Sequence, residues 1–162
     1  MIKYVSYAVT FAEVPDEISL TLAISNCGGH CPGCHSPELR QDIGRDLEED
    51  LPILLEKYKD QITCVCFLGQ GNDIDALNEC IEYVYNRGLH TCLYTGGAFP
   101  AGCNMCYLTY VKVGHYDEQL GGLDNPRTNQ RMFEIPHLYG QDGKVIAGQP
   151  RDITYKFWRQ KK

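Results

Sequence analysis

No run of apolar residues in this chain approaches the roughly 20 needed to cross a bilayer. Residues 1–7, Met-Ile-Lys-Tyr-Val-Ser-Tyr, also lack the continuous apolar core of a signal peptide. These two absences lead to an expected cytoplasmic location with no membrane partner. A basic surplus is missing too: 15 Lys and Arg stand against 21 Asp and Glu, a formal net charge of −6. Phosphate contact needs a Lys/Arg surface that releases counterions, so no nucleic acid is expected as a partner. There is no internal repeat, low-complexity segment or linker. The 162 residues are therefore expected to form one domain, 1–162, with 130–162 as a strand-containing extension.

Cysteine, by contrast, is abundant. Nine cysteines, odd in number and irregularly placed, do not make the framework of a secreted disulfide scaffold, and they read as reduced thiols. Cys64, Cys66, Cys80 and Cys92 fall on expected strands or a helix face, where free cysteine behaves as a small buried apolar residue. Cys103-Asn104-Met105-Cys106 is a C-x2-C pair that lacks a second pair, and no metal is assigned to it. His90, His115 and His137 have no ligand spacing and receive no role. The acidic stretch Asp46, Glu48, Glu49 and Asp50 reads as a solvated helix start, favoured by the helix dipole.

Hydrophobic periodicity sets the expected elements. Ile18, Leu20, Leu22 and Ile24 alternate as a strand that runs into the loop after it. Leu47, Leu51, Leu54, Leu55 and Tyr58 share a helical face, with Pro52 expected in a first turn that starts as late as Leu51. Residues 62–68 are nearly continuously apolar and stop at Gly69-Gln70-Gly71, as a strand buried on both faces does. A second helix follows through Ile74, Leu77, Ile81, Val84 and Tyr85, with Asp73 as N-cap and Gly88 as its left-handed end. Residues 89–94 and 107–113 read as strands. The tail offers two further strands, at 131–135 and 153–157, with Gly140-Gln141-Asp142-Gly143 as turn material between them. Strand–helix alternation implies an α/β fold with a mostly parallel sheet, whose sites collect at the carboxyl ends of the strands. A closed eight-unit barrel takes about 250 residues, so the expectation is an open, curved partial (βα) barrel.

The most informative feature is Cys27-Gly28-Gly29-His30-Cys31-Pro32-Gly33-Cys34, three thiols in one Gly/Pro-rich loop at a strand end. A structural zinc takes four ligands, and here His30 or His35 would have to complete the shell. A cubane iron–sulfur cluster on three thiolates leaves one iron open to a further ligand. The spacing C-x3-C-x2-C, with Cys31-Pro32-Gly33-Cys34-His35-Ser36-Pro37-Glu38, resembles the radical S-adenosylmethionine enzymes, and among them the activating proteins of anaerobic ribonucleotide reductase. Tyr94-Thr95-Gly96-Gly97, residues 111–116, 128–131 and 152–158 are similar to segments of the same family.

That resemblance implies a radical-S-adenosylmethionine-type partial barrel. In it Cys27, Cys31 and Cys34 hold a 4Fe-4S cluster that binds S-adenosyl-L-methionine. Gly33, Gly69, Gln70, Gly71 and Lys112 are the implied cofactor contacts. Gln70 stands where the family commonly has a second glycine, and no acid follows it directly. Lys112 would meet the cofactor carboxylate, although a Val-Lys-Val strand with the lysine in solvent accounts for it equally well. The implied activity is generation of a glycyl radical on a separate polypeptide, anaerobic ribonucleoside-triphosphate reductase, with reduced flavodoxin or ferredoxin as electron donor. An activase of another glycyl-radical enzyme and a non-catalytic zinc-stabilised binding module are the competing readings. The aromatic tail, Tyr155, Phe157 and Trp158 before Arg159, Lys161 and Lys162, reads as an edge strand.

Overall fold

The computed structural model of the chain describes residues 1–29, 33–34 and 36–158. His30, Cys31, Pro32, His35 and the terminal basic residues Arg159, Lys161 and Lys162 lie outside them. In chain order the elements are β1 (Lys3–Thr10), β2 (Ser19–Ile24), β3 (Arg45–Asp46), α1 (Leu47–Tyr58), β4 (Cys64–Leu68), α2 (Ile74–Asn86) and β5 (His90–Tyr94). There follow β6 (Tyr110–Val113), β7 (Arg131–Glu134), β8 (His137–Tyr139), β9 (Val145–Ala147) and β10 (Arg151–Asp152).

One sheet of eight strands runs β10-β7-β6-β5-β4-β2-β1-β3. The central β2, β4, β5 and β6 are parallel neighbours, whereas β1 and β3 on one side and β7 and β10 on the other pair antiparallel. The fold is thus α/β with an open mixed sheet. The mostly parallel sheet holds for its centre only, and no barrel is present among the described residues. The reason is connection length: parallel neighbours need a long crossover, usually a helix, while an antiparallel neighbour can return by a loop. Two α-helices serve β2→β4 and β4→β5; the β5→β6 crossover contains only a short 3-10 turn at Met105–Tyr107. Beyond β6 the chain returns antiparallel.

Strand alternation separates two cores. Leu20, Leu22, Ile24, Val65, Phe67, Leu93 and Val111 meet the apolar faces of α1 and α2. Cys64, Cys66, Cys92, Tyr110 and Met132 face the other way and pack with Val14, Leu123 and Ile153. β4 is covered on both sides, which explains its continuous apolar run. Burial pushes the Cys66 and Cys92 thiols up and carries the Cys80 thiol to about 12, so these sulfurs stay protonated.

Helix α1 begins four residues before Leu51, at Leu47, because Asp46 caps it, accepting from the Glu48 and Glu49 amides at 2.9 and 3.4 Å. Pro52 accordingly sits inside the helix, not in its first turn. Its missing N–H is offset by the cap and by the burial of Leu47, Leu51, Leu54 and Leu55. The acidic stretch is not wholly solvated either. Asp50 is buried, accepts from the Tyr4 hydroxyl at 2.6 Å and pairs with Arg45 at 2.9 Å. Burial and this carboxylate push the Tyr4 phenol up to about 12. Asp73 caps α2 as expected and Gly88 ends it at φ +77°.

The tail departs from expectation at 153–157, where the chain forms a 3-10 turn (Thr154–Phe157) instead of a strand. The Gly140–Gly143 turn joins β8 to β9 in a separate two-stranded sheet.

His90, which had no expected role, meets Glu17 at the amino ends of the parallel strands. Buried Glu17 also accepts from Thr63 Oγ1 at 3.0 Å and from the Tyr110 hydroxyl at 3.4 Å. The hydrogen bond to Glu17 raises the imidazole above its ordinary 6.5. Stabilisation from this pair is therefore fully present below the ordinary value and is lost as pH rises through the folded-state value. Wild type should lead His90→Gln in melting temperature by more at about pH 6 than at about pH 9. A lead that stays constant over that range contradicts the pairing.

Candidate functional site

The site is built on the carboxyl ends of β2, β4, β5 and β6. At the end of β2 the Ser25 amide bonds Lys3 O at 3.0 Å, and Asn26 takes a left-handed φ of +61°, which asparagine tolerates. Two backbone bonds then close the base of a loop: Asn26 N to Gln41 O at 3.1 Å and Cys27 N to Leu39 O at 2.8 Å. The cysteine motif stands on that clamped base.

Cys27 is exposed and Cys34 half-buried, unlike the four apolar-packed thiols of the sheet and α2. Each of the two accepts a backbone N–H on sulfur, from Gly29 and Ser36, both at 3.4 Å. Hydrogen bonds to the sulfurs are among the means by which proteins tune iron–sulfur groups. The donor set, soft and accessible, fits a metal or iron–sulfur group. Among the described residues no three His, Cys, Asp or Glu side chains converge on a metal position; Cys31, the middle thiol, is outside them.

Gly33 has φ +71°, and a Cβ there would run into the Glu118 carboxylate. Glu118 belongs to the loop after β6, so that loop reaches across the strand ends to the cysteine loop. The Gly69-Gln70-Gly71 turn lies beside the last residue of β2: a Cβ on Gly71 (φ +66°) would stand 3.1 Å from Ile24 Cγ2. Gln70 Oε1 accepts from Thr95 Oγ1 at 2.9 Å, and the Thr95 amide bonds Lys112 O at 2.9 Å. Lys112 is buried, not in solvent, because the loops beyond the strands cover this face as well. Its ammonium donates to Gly114 O at 3.1 Å and lies 5.3 Å from the centre of the Tyr94 ring. Gln130 Nε2 donates to the same carbonyl at 3.4 Å.

Comparison of the chain with protein-family models, with curated proteins and with solved structures returns no match.

A cavity of about 800 Å³ has a lining that includes Tyr94, Tyr116, Leu123, Gln130 and Phe157, so of the polar row from Gln70 through Thr95 to Lys112 and Gln130 it is Gln130 that reaches it. That volume suits a nucleoside-sized ligand. Beside the row, Asn129 Oδ1 is buried without a partner among the described residues, leaving one acceptor for an incoming donor. Of the residues singled out in the sequence, the structure joins Gln70 and Lys112 through Thr95 and places Gly33 against Glu118. Sequence reading did not single out Tyr94, which lines the cavity, or Glu118, which abuts Gly33. Tyr94 stood in a family-like segment, but Glu118 carries no local signal. The Cys103 thiol is pushed up to about 11 by burial, and the Cys106 thiol donates to Asn104 Oδ1 at 3.1 Å.

Proposed function

We propose that this chain is a radical S-adenosylmethionine activating enzyme. It reductively cleaves S-adenosyl-L-methionine at a 4Fe-4S cluster and installs a glycyl radical on anaerobic ribonucleoside-triphosphate reductase. The observation that carries the reading is the C-x3-C-x2-C thiol loop mounted on the carboxyl end of a central parallel strand, with amides donating to the sulfurs of Cys27 and Cys34. The finer fold reading, a partial (βα) barrel of the radical type, is supported by four parallel strands with both helices on one face and a cavity on the other.

Cys27, Cys31 and Cys34 would hold the cluster. When bound, that group supplies the single electron that splits S-adenosylmethionine into methionine and a 5′-deoxyadenosyl radical, which takes a hydrogen atom from the partner's glycine. The chain's own task is to bind, orient and exclude water. Gly69, Gln70 and Gly71 offer backbone carbonyls to the cofactor ammonium, and Lys112 offers a cation to its carboxylate. Gly33 brings the cysteine loop against Glu118 and so closes the ring of loops. The apolar wall of Leu123 and Phe157 keeps water from the radical. A reduced flavodoxin or ferredoxin supplies the electron, and the reductase is a separate polypeptide in the cytoplasm. No helix among the described residues is long and apolar enough to cross a membrane.

Metal analysis tests the donor set. Protein purified from cells under argon should be brown, with iron and acid-labile sulfide. Stoichiometric zinc without sulfide would favour the zinc-stabilised module and sink the cluster.

A further inference from the structure

A buried ammonium is costly unless its donors and charge are satisfied. Lys112 is 7% exposed, and its ammonium donates to Gly114 O at 3.1 Å. Facing it at 5.3 Å is the ring of Tyr94, within the range of a cation–π contact. This ring is fixed in turn: the Tyr94 hydroxyl donates to the Glu13 carbonyl, tying the end of β5 to the segment between β1 and β2. Burial holds the phenol neutral, so it offers the cation a π face rather than a phenolate charge. Tyr94 also lines the 800 Å³ cavity. Lys112, near the carboxyl end of β6, is thereby held against a ring that itself lines the cavity.

We propose that Tyr94 is a positioning residue: its pinned ring sets the Lys112 ammonium for the carboxylate of the methionine moiety of S-adenosylmethionine. The proposal rests on the function proposed above and adds a residue to it. The ring face holds the cation, and packing against the second core keeps the ring in place when the hydroxyl's bond to Glu13 is lost, so Tyr94→Phe retains the effect and Tyr94→Leu removes it.

The test is calorimetric affinity for S-adenosylmethionine, measured under argon on cluster-loaded protein. Tyr94→Phe should bind within about twofold of wild type, and Tyr94→Leu about three- to thirtyfold more weakly, the span of a partly to fully desolvated cation–π contact. Because Tyr94 acts through Lys112, the Tyr94→Leu/Lys112→Met double variant should bind no worse than Lys112→Met alone. Wild-type affinity in Tyr94→Leu, or losses that multiply in the double variant, would overturn the proposal. A fully loaded wild type that binds no S-adenosylmethionine overturns the functional reading instead. NMR of the full chain with 13C-labelled lysine then decides the positioning separately. The Lys112 ε-methylene should be shifted upfield by the Tyr94 ring, and the shift should vanish in Tyr94→Leu. An ordinary wild-type shift would contradict it.

Discussion

Replacing Cys31 with alanine is expected to cut release of 5′-deoxyadenosine by more than about a hundredfold, beyond the roughly 10- to 100-fold cost of losing a mere outer-shell partner of a metal. The same replacement at Cys80 is expected to leave release within about twofold. The contrast follows from environment. Cys27, Cys31 and Cys34 share one short loop, and the sulfurs of Cys27 and Cys34 accept amide hydrogen bonds at 3.4 Å. Two thiolates cannot anchor three irons of a cubane, so under the proposed function losing Cys31 would remove the site itself. Cys80 is 3% exposed on α2, among Leu51, Leu77 and Val84, with its thiol carried to about 12, chiefly by burial. Its loss removes a small apolar side chain at about 1 kcal/mol and no ligand. Reconstitution of both variants with iron and sulfide, followed by reduction and product quantification, makes the comparison. Equal product from the two would refute the ligand assignment.

The largest stability effect is expected at Phe67, whose replacement by alanine should lower the unfolding free energy by about 3–5 kcal/mol. Phe67 is fully buried in β4, in register with Leu22 of β2 and Leu93 of β5, and it packs under the helices. An alanine leaves a void that a three-strand parallel neighbourhood cannot collapse to fill. A domain of this size is stable by about 5–15 kcal/mol, so much of the margin goes with one ring. Because β4 ends at the Gly69-Gln70-Gly71 turn, cofactor affinity should fall with it. Urea unfolding measures the change; a loss under about 1 kcal/mol would mean that Phe67 does not sit in a close-packed core.

The parallel centre was legible because its residues obey single, strong periods. Residues 62–68 are apolar without a break, Asp73 and Gly88 bracket α2, and a glycine stands just beyond each of β4 and β6. β1 was not legible. Val5, Tyr7 and Val9 are exposed, since β3 covers only Lys3 and Tyr4, and alternation on an edge strand then marks no core. At 153–157 the alternating aromatics suggested a strand, but Asp152 accepts from the Thr154 amide at 2.9 Å and from its hydroxyl at 2.6 Å. That local side-chain bonding competes with the ladder and turns the chain into a 3-10 turn. Trp158 Nε1 then donates to Leu123 O at 3.0 Å.

At the site, the three thiols stand out in the sequence because they share one short run of consecutive residues, while the cluster they would hold was implied by the family resemblance, and Cys31 lies outside the described residues. The side of Lys112 was not legible, because Val-Lys-Val fits a solvent-facing lysine as well as a buried one until the covering loops are known. Glu118 against Gly33 is a contact between distant segments, and nothing local in either one announces it.

The most direct measurement combines the anaerobically loaded, reduced chain with S-adenosylmethionine and anaerobic ribonucleoside-triphosphate reductase, reading 5′-deoxyadenosine and the glycyl radical by electron paramagnetic resonance. The radical-activase account predicts both products, each dependent on Cys31. A chain carrying a full cluster that yields neither in the presence of the reductase would contradict it.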